Sequence, residues 1–141
     1  DAAFDYHDGD VTALLQQAAP EGIDCYFDNV GADHLQAALN CINPFGRIAA
    51  CGMIAAYNEA APGPNNLAFI VGRKVTVRGF IVSDHSHREP TFRRHVSGLL
   101  RDGRLTFHET HRDGIESALD ALLDVLHGGK HIGKMVVDLA G

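Results

Sequence analysis

Apolar residues along this chain follow two alternating spacings. Val11, Leu14, Leu15 and Ala18 recur at i, i+3, i+4 and i+7, the signature of one apolar helix face. Asp10 before them suits an N-cap, and Pro20 after them is a stop. The spacing returns at Leu35, Ala38, Leu39 and Ile42, closed by Pro44 and Gly46. It returns again at Phe92, Val96, Leu99 and Leu100 before Asp102-Gly103, and at Ile115, Ala118, Leu119, Leu122 and Leu126 before Gly128-Gly129. Between these helices lie short continuous apolar runs: IDCYF (23–27), RIAAC (47–51), the β-branched run from Lys74 to Val82, and MVVDL (135–139). Such runs, bounded by turn residues, predict buried strands. DAAFDY (1–6) reads as a further strand already under way, residues 67–72 as a short helix, and EAAPGPNN (59–66) as loop.

Helices of about ten residues alternating with short apolar strands imply βαβ units, and so an α/β fold with an open parallel sheet covered on both faces. Its crossovers should be right-handed. The 141 residues, 45% hydrophobic and 21% charged, suit one ordinary domain. The net charge of −6, with no basic cluster longer than Arg93-Arg94, argues against a nucleic-acid partner. No apolar run approaches the roughly 20 residues that cross a bilayer, so no membrane is expected either. Cys25, Cys41 and Cys51 form no C-x-x-C pair, and they read as reduced thiols in a cytoplasmic protein rather than as a disulfide. The chain opens on Asp1 without a methionine, which suggests a piece of a longer protein.

Ligands of open α/β sheets bind beyond the carboxyl ends of the strands. That rule selects three stretches: Asp28-Asn29-Val30-Gly31, then Cys51-Gly52 running on to Tyr57, then Phe80-Ile81-Val82. Each also has an ordinary reading. Asn29 before Val-Gly suits a turn, Gly52 ends a strand as readily as it admits a ligand, and Tyr57 could be a half-buried aromatic with a satisfied hydroxyl. Other constellations are weaker. His85-Ser-His87 has a ligand-like spacing but no third ligand nearby, and zinc needs three or four. No nucleophile motif, P-loop or G-x-G-x-x-G is present. A nucleotide-binding fold without a phosphate loop would be missing its front half.

GIDCYFDNVG (22–31), FGRIAACGMIAAYN (45–58), GFIV (79–82) and HIGKMVV (131–137) closely resemble the zinc-independent branch of the medium-chain dehydrogenase/reductase superfamily. The resemblance is to the prostaglandin reductase and leukotriene dehydrogenase group, the alkenal/one oxidoreductases, and it runs in order over nearly all of the chain. It implies the rear half of a Rossmann-type doubly wound parallel sheet with C-terminal helices and a final strand. Residues 1–110 would be the partial dinucleotide-binding domain and 111–141 the segment returning to a catalytic domain. The implied activity is NADPH-dependent reduction of the carbon–carbon double bond of α,β-unsaturated aldehydes and ketones, without a metal. The group's glycine-rich turn and phosphate-selecting lysine would precede Asp1, so this chain alone is expected to be inactive and to bind NADPH weakly. A quinone reductase of the same superfamily and a non-catalytic α/β dimerisation module are the competing readings.

By position, the resemblance places Tyr6 at the adenosine end of the cofactor and Asn29 beside the middle of the cleft. Cys51, Gly52, Met53, Ile54, Ala55, Ala56 and Tyr57 would wrap the nicotinamide ribose, and Tyr57 would also serve catalysis. Phe80, Ile81 and Val82 would border the nicotinamide ring. His131 stands where the group has an asparagine. Hydride transfer needs position rather than a side-chain nucleophile, and the developing enolate oxygen needs a donor, which Tyr57 or a ribose hydroxyl that it orients could supply. The strand from Lys74 to Val82 would pair across a homodimer. In the Rossmann order 3-2-1-4-5-6, DAAFDY would be strand 3 with its neighbours absent. That would leave Asp1–Tyr6 out of place and the edge of Ile23–Asp28 exposed.

Overall fold

The computed structural model describes residues 2–57, 60–128 and 131–139. Asp1 of the expected first strand, Asn58 of the quoted motif and Gly129 of the last helix stop lie outside them. The chain packs as two compact units, Asp1–Ser86 and His87–Gly141.

In the first unit, α1 (Val11–Ala18) begins where expected. The Asp10 carboxylate accepts from the Ala13 N–H at 2.8 Å, a side-chain cap on an otherwise orphaned donor. The strand β1 (Ile23–Asp28), α2 (Ala32–Cys41), β2 (Ile42–Ala50), α3 (Ala68–Gly72) and β3 (Thr76–Gly79) follow. The three strands form one parallel sheet in the order β1-β2-β3, as the βαβ pattern requires. Leu39, Ile42, Ile48 and Val75 are its buried core, with Ile23, Tyr26, Leu35 and Ile70 packed around them. Helix α2 therefore covers the face that carries Tyr26 and Ile48. The opposite face, with Cys25, Phe27, Arg47, Thr76 and Arg78, is exposed, so the expected cover on both faces is not found among the described residues.

Three boundaries differ from the sequence pattern. Ala2–Asp5 forms no strand, and Tyr6–Asp8 is a 3-10 turn. The Asp5 carboxylate accepts from the His7 N–H at 2.9 Å and so favours a turn. Among the described residues, β1 has only β2 as a strand neighbour, so no strand waits beside residues 2–5. Second, Pro44 and Gly46 lie inside β2 rather than ending a helix. Ile23 pairs with Ile42 but Cys25 with Arg47, so residues 43–46 bulge out of register, with Phe45 at φ 65°. The Arg73 guanidinium secures this corner by donating to the carbonyls of Leu39, Asn40 and Ile42, where a cation complements the helix dipole. Third, only Thr76–Gly79 of the Lys74-to-Val82 run is strand, and a 3-10 segment begins at Val82.

In the second unit, α4 (Glu89–Arg101) and α5 (Ala118–His127) match the helical spacings. The final strand β5 (Lys134–Asp138) pairs in parallel with β4 (Glu109–Asp113), a strand of sequence ETHRD with no apolar signature. His111 on β4 holds the pair together. Its Nδ1 lies 2.8 Å from Asp138 Oδ2 and its Nε2 lies 3.3 Å from Glu109 Oε2. Hydrogen bonding to Asp138, then to Glu109, raises its pKa above the ordinary 6.5.

Two outcomes follow from this packing. Leu39→Ala removes a fully buried side chain and is expected to cost about 3 kcal/mol, read from urea unfolding midpoints. Because the folded pKa of His111 is raised, its contribution is complete below 6.5 and is lost as pH rises through the folded value. His111→Gln should abolish that part of the pH dependence in thermal melts; an unchanged profile would show that the group is not coupled to folding.

Candidate functional site

The carboxyl ends of β1 and β2 are tied together through Asp28. Its backbone carbonyl accepts from Cys51 N–H at 2.8 Å and Gly52 N–H at 3.1 Å. Its side chain is fully buried, and Oδ1 accepts from Tyr26 O–H at 3.0 Å, Val30 N–H at 3.0 Å and Gly31 N–H at 2.9 Å. Oδ2 is buried with no partner among the described residues. Beyond Asp28 the two loops stay in step: Ile54 N–H donates to Asn29 O at 3.1 Å and Ala55 N–H to Val30 O at 3.2 Å. Burial, then the Asp28 charge, pushes the Tyr26 phenol far above its ordinary pKa of 10.0, so it remains a donor.

This stitching brings Asn29, Gly52 and Tyr57 to one place. A side chain on Gly52 would start 3.1 Å from both Asn29 O and Asn29 Oδ1, and 3.5 Å from the Tyr57 hydroxyl. A side chain here would press on Asn29 and force it to shift, so the absence of one gives these atoms room to converge. Asn29 and residues 53–57 are exposed, and Cys51 and Gly52 are half-buried. A cavity of about 600 Å³ opens here, bordered by Cys51, Gly52, Met53, Tyr57, Phe80 and Ile81 among others. Phe80 is anchored by its N–H to Ala50 O at 3.1 Å. Its ring meets Phe27 edge-on at a centroid distance of 6.0 Å and His85 at 5.7 Å. The Ile81 N–H points to Asp84 Oδ2 at 3.4 Å, and Val82 is exposed.

Tyr6 stands on a neighbouring cavity of about 740 Å³ that Val30, His34, Ile54 and Ala55 also line. Its ring packs on His7 at 4.0 Å and against His34 at 5.1 Å. His131 belongs to the second unit, where it is half-buried and its Nδ1 is buried without a partner among the described residues. The sequence pattern places Asp28 in one of the three selected stretches but gives it no role of its own. It passes over Asp84, which has no local signal. Among the described residues, no group of three or more His, Cys, Asp or Glu is arranged to hold a metal ion.

The family described as zinc-binding dehydrogenase matches residues 1–98. The chain is 40% identical over 139 residues to (+)-pulegone reductase of Mentha piperita and to 2-alkenal reductase (NADP(+)-dependent) of Nicotiana tabacum, covering 97% of this chain and 40% of each relative. It is 34% identical to NADPH-dependent curcumin reductase of Escherichia coli (strain K12), across 100% of this chain and 43% of that protein. Among solved structures, CurA from Vibrio vulnificus in complex with NADPH superposes with a TM-score of 0.84 at 30% identity, covering 100% of this chain and 44% of CurA. The chain thus spans well under half the length of the relatives it matches. It belongs to the zinc-binding dehydrogenase family.

Proposed function

We propose that this chain is the rear part of an NADPH-dependent oxidoreductase that reduces the carbon–carbon double bond of α,β-unsaturated aldehydes and ketones. The observation that carries the reading is the convergence of Asn29, side-chain-free Gly52 and the Tyr57 hydroxyl at the carboxyl edge of a parallel sheet. Dinucleotides bind at such an edge. The residues present fit the nicotinamide end of one. Gly52 admits close approach, Asn29 and Tyr57 offer exposed polar atoms, and Phe80 with Ile81 provides an apolar wall. In this reading residues 1–110 are the dinucleotide-binding part and 111–141 return to a catalytic domain.

Bound NADPH would supply the hydride. The protein's share is position and charge. Asn29 and Cys51 through Tyr57 hold the ribose side, Phe80, Ile81 and Val82 border the ring, and Tyr6 and His131 serve as outlying contacts. Tyr57 donates its hydroxyl proton as a hydrogen bond to the carbonyl oxygen, where negative charge develops. Holding the reactants in register lowers the barrier further. The cellular location that suits this chemistry and the three free thiols is the cytoplasm.

A second copy of the chain would join at β3, whose outer edge has no strand neighbour among the described residues and carries the half-exposed Val77.

In the full-length enzyme, Tyr57→Phe should lower kcat/KM for an enone by about 100-fold, the usual loss when one such donor is removed. An unchanged kcat/KM would take Tyr57 out of the mechanism. Sedimentation equilibrium should give the mass of a dimer, and a monomer at every concentration would overturn the pairing through β3.

A further inference from the structure

We propose that Asp28 is the positioning residue of this site, its carboxylate and carbonyl together fixing the distance between the Asn29 loop and the Cys51–Tyr57 loop. The inference rests on the oxidoreductase reading for its purpose and on this chain's own hydrogen bonds for its content.

Asp28 is the one fully buried polar side chain among the described residues, and no step of the chemistry uses it. Burying a carboxylate is costly unless its oxygens are bonded. Here Oδ1 has three donors and Oδ2 has none, so the group is an incomplete stabiliser of the core. What the cost secures is geometry. Oδ1 closes the turn at Val30 and Gly31, while the carbonyl of the same residue takes the N–H groups of Cys51 and Gly52. Both loops that carry cofactor-facing atoms therefore hang from one residue. Tyr26, whose phenol burial keeps protonated, locks the carboxylate from the covered face of the sheet. Preorganisation of this kind matters where a misplacement of about 1 Å impairs the reaction.

The test combines Asp28→Ala, Asp28→Asn and the core variant Ile48→Val. In the 141-residue chain, amide hydrogen exchange at Val30 and Gly31 should accelerate about 10-fold or more in Asp28→Ala. It should return toward the parent rate in Asp28→Asn, whose amide oxygen accepts the same bonds. In the full-length enzyme, Asp28→Ala should raise KM for NADPH about 10-fold or more, Asp28→Asn should recover most of it, and Ile48→Val should lower Tm with KM unchanged. Unaltered Val30 and Gly31 exchange in Asp28→Ala overturns the proposal. So does a KM that moves no more than in Ile48→Val. An enzyme that neither binds nor oxidises NADPH refutes the oxidoreductase reading instead, and the exchange rates then decide the role of Asp28 alone.

Discussion

Two parallel strands end side by side in this molecule, and a single residue decides what their ends do. Asp28 closes one turn through its side chain and takes the first two amides of the next loop on its carbonyl. Parallel strands leave the sheet in the same direction, so their following loops must be kept apart or tied together. Here they are tied. The further bonds Ile54 to Asn29 and Ala55 to Val30 extend the pairing past the sheet. The two loops are thereby joined to one another just beyond the sheet, where Ile54–Ala56 forms a 3-10 turn.

The rest of the first unit supports that edge from below. Strand β2 is the middle of the sheet, and its start is displaced by the bulge at residues 43–46. The last carbonyls of α2 have no helical partners, and Arg73 donates to those of Leu39 and Asn40 and to that of Ile42 just beyond the helix. Leu39, Ile42 and Ile48 pack beneath, so α2 and β2 meet with their apolar faces in register. The ordering of the carboxyl edge depends on this core, because a shift of one residue in β2 would exchange its buried and exposed faces.

Much of this was legible in the residues because helix faces declare themselves by spacing. Val11 to Ala18 and Leu35 to Leu39 became helices, and Asp10 became the cap that its position suggests. Strand ends with a turn residue behind them, Asp28-Asn29 and Cys51-Gly52, marked the candidate site. What escaped notice lacked a local signal. ETHRD is wholly polar, and β4 exists because β5 lies beside it and His111 bridges to Asp138. DAAFDY has strand-like composition, but among the described residues positions 2–5 have no strand to join, and the Asp5 side chain accepts from the nearby His7 N–H instead. Pro44 and Gly46, read as a helix stop, are tolerated in β2 as a bulge.

By itself, then, the sequence determined the order of the helices and of strands β1, β2, β3 and β5, the parallel arrangement of the first three, and the three stretches that would form a ligand edge, since spacing, caps and turn residues act within a few positions of one another. Tertiary structure alone decided the distances within that edge. Asn29 and Tyr57 lie 28 residues apart in the chain yet meet around Gly52. Asp28 does not differ in composition from the other aspartates. Its side-chain bonds are local, to Tyr26, Val30 and Gly31, but its carbonyl meets the N–H groups of Cys51 and Gly52 only because β1 lies beside β2, and that long-range contact turns an ordinary acid into the tie between two loops.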